Sequence, residues 1–334
     1  MMKKILAAAI VSAFAAPAFA ATANVDISGK MAWDVTKASG TGTAAENTTH
    51  LNDNNSRFAF KGSEDLGGGM KAGFSATLGF ANTSGGATTA QDTFVFVSGG
   101  WGEVRAGVHD NLVKGIGRTV DLFADQSTGD ARHLTNLGGI DGRGNNVVAY
   151  LSPKFSGFQV AVGQVMDETA TANTGATTNM ATVTYQNGPL YVGLGYDTRN
   201  YANDQKDLRL GVAYNLGDLR LTGLYQKADT LGGVNNDDVK VWGVGAGYKM
   251  GAMTFKGQYY TLDDKVATDD SKMYALGVDY ALSKRTVAQL AYSKVKNDTG
   301  VNYGGAAAVG SSDAITIANG ADPSRISVGV VHNF

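Results

Sequence analysis

The sequence has no cysteine and only four prolines among 334 residues. Without a thiol there is no disulfide framework, no thiolate nucleophile and no sulfur-ligated metal. Scarce proline leaves no rigid linker, and no shift in composition divides the chain. A length that ordinarily suggests two domains therefore reads as one. Histidine is just as rare: His50, His109, His133 and His332 are all there are. Neither HExxH nor GxSxG occurs, which removes the zinc-protease and nucleophile-elbow signatures. His109-Asp110 and Ser127…His133 come nearest to a catalytic relay, and both read as ordinary polar residues of a rim or loop. A basic excess is also missing. With 28 Lys and Arg against 30 Asp and Glu, nothing favours nucleic acid as a partner.

Long hydrophobic runs are absent after the first twenty residues, because glycines and charges interrupt every apolar stretch. No transmembrane helix is expected. The opening itself reads as an address. Lys3 and Lys4 precede the apolar run Ile5–Ala16, and Ala18-Phe19-Ala20 fits a signal-peptidase cleavage site. Residues 1–20 are thus expected to be removed, leaving 21–334 as one domain with four more acids than bases.

What the chain has in abundance is period-two alternation, the mark of a strand with two unlike faces. Val25-Ile27-Gly29-Met31-Trp33-Val35 alternates with Asp26-Ser28-Lys30-Ala32-Asp34-Thr36. The pattern recurs at 56–66, 70–80, 91–98, 102–110, 145–152, 157–166, 180–187, 189–198, 206–216, 218–228, 238–250, 252–262, 271–282, 285–296 and 325–334. Short turns such as Gly67-Gly68-Gly69, Asn187-Gly188 and Gly251 alternate with longer polar connections at 37–54, 81–90, 111–144, 168–179, 199–205, 229–237, 263–270 and 297–324. An even strand count with tight turns at one end and long loops at the other is the layout of a transmembrane antiparallel β-barrel. In hydrocarbon every backbone N–H and C=O needs a partner, so the sheet must close on itself.

The polar face decides what the barrel encloses. Lys30, Arg57, Lys61, Arg105, Arg209 and Lys256 fall near strand middles on that face, and a dry core does not accept unpaired cations. A barrel of sixteen strands leaves room for an aqueous channel, whereas eight to ten strands are filled by their own side chains. Tyr150, Tyr185, Tyr214, Tyr248 and Tyr280 recur where strands meet short turns, as an interfacial aromatic girdle requires. Gly243, Gly245 and Gly247 lie inside a strand rather than at a strand-to-helix turn, so they make no phosphate cradle. No cofactor is expected. Asp263, Asp264, Asp269 and Asp270 read as a solvated acidic loop more readily than as a cation site.

Several stretches resemble the general porins of Gram-negative bacteria, particularly the β-proteobacterial and neisserial type. The run Ser56-Arg57-Phe58-Ala59-Phe60-Lys61-Gly62-Ser63-Glu64-Asp65-Leu66-Gly67-Gly68-Gly69-Met70-Lys71-Ala72 is similar to that family's second strand, turn and third strand. Phe94–Arg105, Ser152-Pro153 with Phe155, Gly157 and Phe158, and Tyr280–Thr286 resemble later hairpins of the same family. Ile326, Val328, Val330, His332 and the terminal Phe334 share one face, like the signal read by the outer-membrane insertion machinery. The resemblance implies a sixteen-stranded barrel, a homotrimer in a bilayer with lipopolysaccharide, and passive diffusion of small hydrophilic solutes and ions. It also implies a third external loop, here 111–144, folded into the lumen as a constriction. On that reading Lys30, Arg57, Lys61, Arg105, Arg209 and Lys256 form a basic wall. Asp121 and Asp125 face them from the loop, with Arg118 beside them. A mild anion preference follows. The family often places an arginine just before the tyrosine of the sixth strand; here Ala149 stands there, and Val108-His109-Asp110 follows Gly107 in place of a basic residue. A substrate-specific porin is the alternative, and an outer-membrane enzyme or adhesin is less favoured.

Overall fold

The computed structural model describes residues 24–334 apart from 44–46, 81–82, 84, 86, 167–173, 235–236, 266–269 and 305–314. The leader expected over residues 1–20, like Asp269, lies outside the described residues. In chain order the strands are β1 (Asn24–Ser39), β2 (Thr49–Asp53), β3 (Arg57–Gly67), β4 (Met70–Gly79), β5 (Thr89–Gly99), β6 (Gly102–Asp110), β7 (Arg143–Leu151), β8 (Phe158–Val165) and β9 (Thr174–Asn187). They continue as β10 (Leu190–Tyr201), β11 (Gln205–Leu216), β12 (Leu219–Asp229), β13 (Val239–Met250), β14 (Met253–Asp264), β15 (Ser271–Ala281), β16 (Thr286–Asn297) and β17 (Ser324–Asn333). Between β6 and β7 lie two short helices, α1 (Lys114–Val120) and α2 (Arg132–Thr135).

β2 and β3 both pair antiparallel with β1, each later strand pairs antiparallel with the one before it, and β17 pairs with both β16 and β1, which closes the ring. The chain terminus seals the seam: the Phe334 N–H donates to the Gly29 carbonyl at 3.1 Å and the Gly29 N–H to that of Phe334 at 3.0 Å. A closed ring has no free edge, so a sandwich of two open sheets is excluded. Among the described residues, seventeen strand segments make sixteen barrel positions, because β2 and β3 share one. Residues 33–37 of β1 pair with β2, and residues 24–30 pair with β3.

β2 is a departure from the loop expected over 37–54. A buried knot holds it in place. The Asp34 carboxylate accepts from Thr36 Oγ1 at 2.6 Å, Asn52 Nδ2 at 2.9 Å, Asn54 Nδ2 at 2.6 Å and Ser127 Oγ at 2.5 Å. Four donors offset the cost of burying that carboxylate. Elsewhere the boundaries follow the alternation closely, except that β9 begins at Thr174, six residues before the expected 180. The strand expected over 102–110 spans Gly102–Asp110, and β11 begins one residue before the expected 206.

The two faces are inverted relative to a water-soluble domain. Ile27, Leu276 and Val328 point outward and are 60% or more exposed, while Asp197, Arg209 and Gln226 point inward with no exposed surface. An apolar exterior and a polar interior are what a bilayer selects. Outward aromatics gather near the short turns. The Phe158 and Tyr185 rings lie 4.6 Å apart, and the Tyr150 hydroxyl donates to the Trp101 carbonyl at 2.7 Å. The turns rest on backbone that only glycine adopts freely; Gly67, Gly68 and Gly69 all have φ between 61° and 80°.

Candidate functional site

Residues 111–142, from β6 to β7, pack against the inward faces of β1, β10, β11, β12, β14, β15 and β17. The local sequence makes room for them. Gly193 and Gly195 of β10 and Gly211 of β11 are inward glycines. A Cβ at Gly195 would sit 2.8 Å from the Val113 side chain, and one at Gly211 would sit 2.7 Å from that of Ile116. Three missing side chains thus form the groove into which α1 settles, with Val113, Ile116 and Val120 fully buried. Further along, Phe123 enters a pocket beside Ala275 and Ala291, and the Lys256 ammonium stands 4.6 Å from its ring.

Polar tethers fix the rest. Asn111 Nδ2 donates to Asp197 at 2.5 Å. Lys114 and Arg143 both donate to Asp110, at 2.9 and 2.8 Å, which closes the base of the segment. Gln258 of β14 holds three points at once: Nε2 donates to Asp121 and to the Gly129 carbonyl, and Oε1 accepts from the Leu122 N–H. At the far end Arg209 binds both oxygens of Asp141, at 2.5 and 3.0 Å. Its Nη2 also donates to the Thr135 carbonyl, and Nε and Nη2 share Gln226 Oε1. Arg209 and Asp141 have essentially no exposed side chain.

At the middle of the segment lies a concentration of charge. Asp125 faces Arg118 at 2.6 Å, Lys30 at 3.3 Å, and Arg57 and Arg132 at 3.6 Å each. Asp130 receives Arg132 at 2.8 Å and Arg118 at 3.1 Å. Burial opposes ionisation of Asp125, but Lys30, Arg118, Arg57 and Arg132 outweigh it and hold the carboxyl well below the usual carboxylate range. Asp130 is depressed for the same reason, through Arg132 and Arg118. Asp121 goes the other way. Burial and the neighbouring Asp130 push its carboxyl up to about 7, against the pull of Arg118.

The expected basic wall divides into two groups. Lys30 and Arg57 meet Asp125 across the barrel, and Arg118 stands with them. Lys61 and Arg105 lie on the part of the wall that the segment leaves uncovered, with Arg105 paired to Glu103 at 2.5 Å and within 2.8 Å of His109 Nε2. Arg209, Lys256 and Asp121 are corrections. The sequence pattern sets all three at the open passage, whereas the structure buries them beneath or within the segment. Each is bound to a partner there: Arg209 to Asp141, Lys256 to Asp279 at 2.8 Å, and Asp121 to Gln258. Alternation tells which way a side chain points, not what lies on top of it. Asp34, Gln226, Gln258, Asp141 and Arg325 are anchors that the pattern does not single out. For Asp34, Gln226, Gln258 and Arg325 the one trace in the sequence is a polar side chain at inward parity in a strand, whereas Asp141 lies in the segment itself.

No histidine relay forms. His133 Nε2 contacts Arg325 Nη1 at 2.9 Å and the Ser127 carbonyl at 3.3 Å, while the Ser127 hydroxyl is given to Asp34. Burial, with Arg325 adding to it, lowers the His133 ring to about 3 and keeps it neutral. His109 Nδ1 contacts the Asp110 carbonyl oxygen, not its carboxylate. Among the described residues no three His, Cys, Asp or Glu side chains are arranged to hold a metal.

A closed barrel with an apolar exterior, a polar interior and an ion-paired inner segment is the architecture of a multi-pass outer-membrane protein. Residues 7–300 match the Gram-negative porin family, and the chain belongs to it. It is similar to outer membrane porin protein 32 of Delftia acidovorans, 30% identical over 304 residues that cover 84% of each chain. Major outer membrane protein P.IB of Neisseria gonorrhoeae is 27% identical over 285 residues, covering 73% of this chain and 78% of the other. Among solved structures, the anion-selective porin from Comamonas acidovorans matches with a TM-score of 0.84 at 26% identity, covering 93% of this chain and all of that one. The protein is a general diffusion porin of the outer membrane.

Proposed function

We propose that residues 111–144 form the constriction of this porin and that solutes pass between them and the uncovered wall of β3 to β6. The observation that carries this is the cluster around Asp125. Lys30, Arg57, Arg118 and Arg132 converge on Asp125 and Asp130, so cations outnumber anions where the segment meets the wall. Lys61 and Arg105 extend the basic track toward the short-turn end. A passage lined this way concentrates small anions and lets small neutral hydrophilic solutes through by size. At physiological salt the field reaches roughly 8 Å, far enough to matter in a narrow aqueous gap and too short to draw solutes from bulk. The preference is therefore mild. A structural relative at 26% identity is named as anion-selective, which agrees in sign. Family membership supports assembly as a homotrimer in a bilayer with lipopolysaccharide.

The test is planar-bilayer conductance of the reconstituted mature protein under a salt gradient. Ohmic channels that close in thirds at high voltage, with a reversal potential on the anion side, are expected. Clear cation selectivity overturns the reading of the charge cluster.

A further inference from the structure

Between β1, β3, β4, β5 and β6, toward the short-turn end, the inner wall holds a cavity of about 520 Å³, and no residue of 111–142 lines it. Its floor is unusual for a polar lumen. The stretch 94–97 of β5 is apolar on both faces: Val95 and Val97 point outward and are exposed, and Phe94 and Phe96 point inward into the cavity. Their parity is fixed by register, because Phe96 pairs with Arg105 and with Gly73, and Phe94 pairs with Ser75 and Gly107. The Phe96 ring occupies the space that a side chain at Gly73 would take, 2.6 Å from an ideal Cβ there. The inward aromatics Tyr191 and Tyr260 pack against the buried cluster that includes Val120 and Leu134 of the segment. Phe94 and Phe96 lie outside that cluster and are half-buried, with the His109 ring 5.4 Å from that of Phe94.

Charge surrounds this floor. Arg105 lies 4.6 Å from the Phe94 ring and is itself held by Glu103. Lys61 and Asp26 complete the rim, and Lys61 has no ion pair among the described residues. Two half-buried rings beside an ammonium without an ion pair match a solute with one flat apolar ring and one carboxylate. The ring displaces water from Phe94 and Phe96, and the carboxylate meets Lys61.

We propose that this cavity is a lumenal binding site for small ring-bearing carboxylates, located on the short-turn side of the constriction. The proposal rests on the diffusion-channel reading and adds a solute class to it. Such a site raises the local concentration of these solutes at one mouth, and it must be weak, since tight binding would stop the flux.

The test is single-channel recording of the full mature protein with phenylacetate added at the short-turn side, and acetate at equal ionic strength as the control. Phenylacetate is expected to give saturable partial blockade and excess current noise, and acetate neither. Phe96→Leu and Phe94→Leu each preserve an apolar strand residue and are expected to weaken blockade about fivefold. Lys61→Gln is expected to do the same for phenylacetate while leaving the uncharged analogue phenylacetamide little changed. Normal conductance with phenylacetate and acetate indistinguishable overturns the site and leaves the porin reading intact. A folded, inserted sample that does not conduct overturns both.

Discussion

Two arcs of one barrel wall are built from the same alternating strands and use their inward charges for opposite ends. On the arc from β10 through β17 to β1, the inner face is covered by residues 111–142. There Arg209, Lys256, Gln226 and Gln258 are buried and each holds a partner on or beside that segment. On the arc from β3 to β6, Lys61 and Arg105 face an open cavity. Burial, not residue type, separates an anchor from a channel charge. An ammonium or guanidinium in water interacts weakly and is screened, whereas the same group out of water must be fully paired or its loss leaves a stranded carboxylate.

That contrast breaks most visibly at Arg209. Replacing it with Met leaves Asp141 buried without its partner and is expected to cost about 3–5 kcal/mol. Thermal unfolding at a lower temperature, with new protease cuts inside 111–142, is the expected readout; an unchanged melting profile would show that the covered arc is not held by this pair. Gly211→Val acts on the same arc through shape. The added side chain meets Ile116 and is expected to cost about 1–3 kcal/mol by overpacking. Single-channel conductance should change as α1 is displaced.

A subtler probe is pH. The Asp121 carboxyl is raised to about 7 by burial and Asp130, so the folded protein favours its protonated form. Its contribution is complete below the ordinary carboxylate range and is lost as pH rises through about 7. Stability is expected to fall between about pH 4 and 7 and to level off above that, and Asp121→Asn is expected to flatten that dependence. Equal slopes in both proteins would remove Asp121 from the account. On the open arc the expectation reverses. Lys61→Gln should alter stability by no more than about 0.5 kcal/mol while shifting the reversal potential toward cations. A large loss of stability in that variant would erase the distinction between the arcs.

Much of the fold was legible in the sequence because strand parity is a local property. Ile27, Trp33 and Val35 announce an outward face by their spacing alone, and glycine turns mark where the chain reverses. The site was legible only in part. Lys30, Arg57 and Arg118 gather on Asp125. Arg209 and Lys256 carry the same sequence signal as Lys61 and do a different job. β2 escaped notice because its pairing depends on Asp34 collecting donors from Asn52, Asn54 and Ser127, the last 93 residues away.

The sequence by itself determined a closed barrel with its polar face inward, since period two and the need to satisfy every backbone group in lipid leave no other arrangement. Tertiary structure alone decided which inward charges remain in water. Arg209 meets Asp141 across 68 residues, Asp121 meets Gln258 across 137, and His133 meets Arg325 across 192. Alternation orients Arg209, Gln258 and Arg325, but only the folded segment that carries Asp141, Asp121 and His133 to them removes the water that separates a channel lining from a buried anchor.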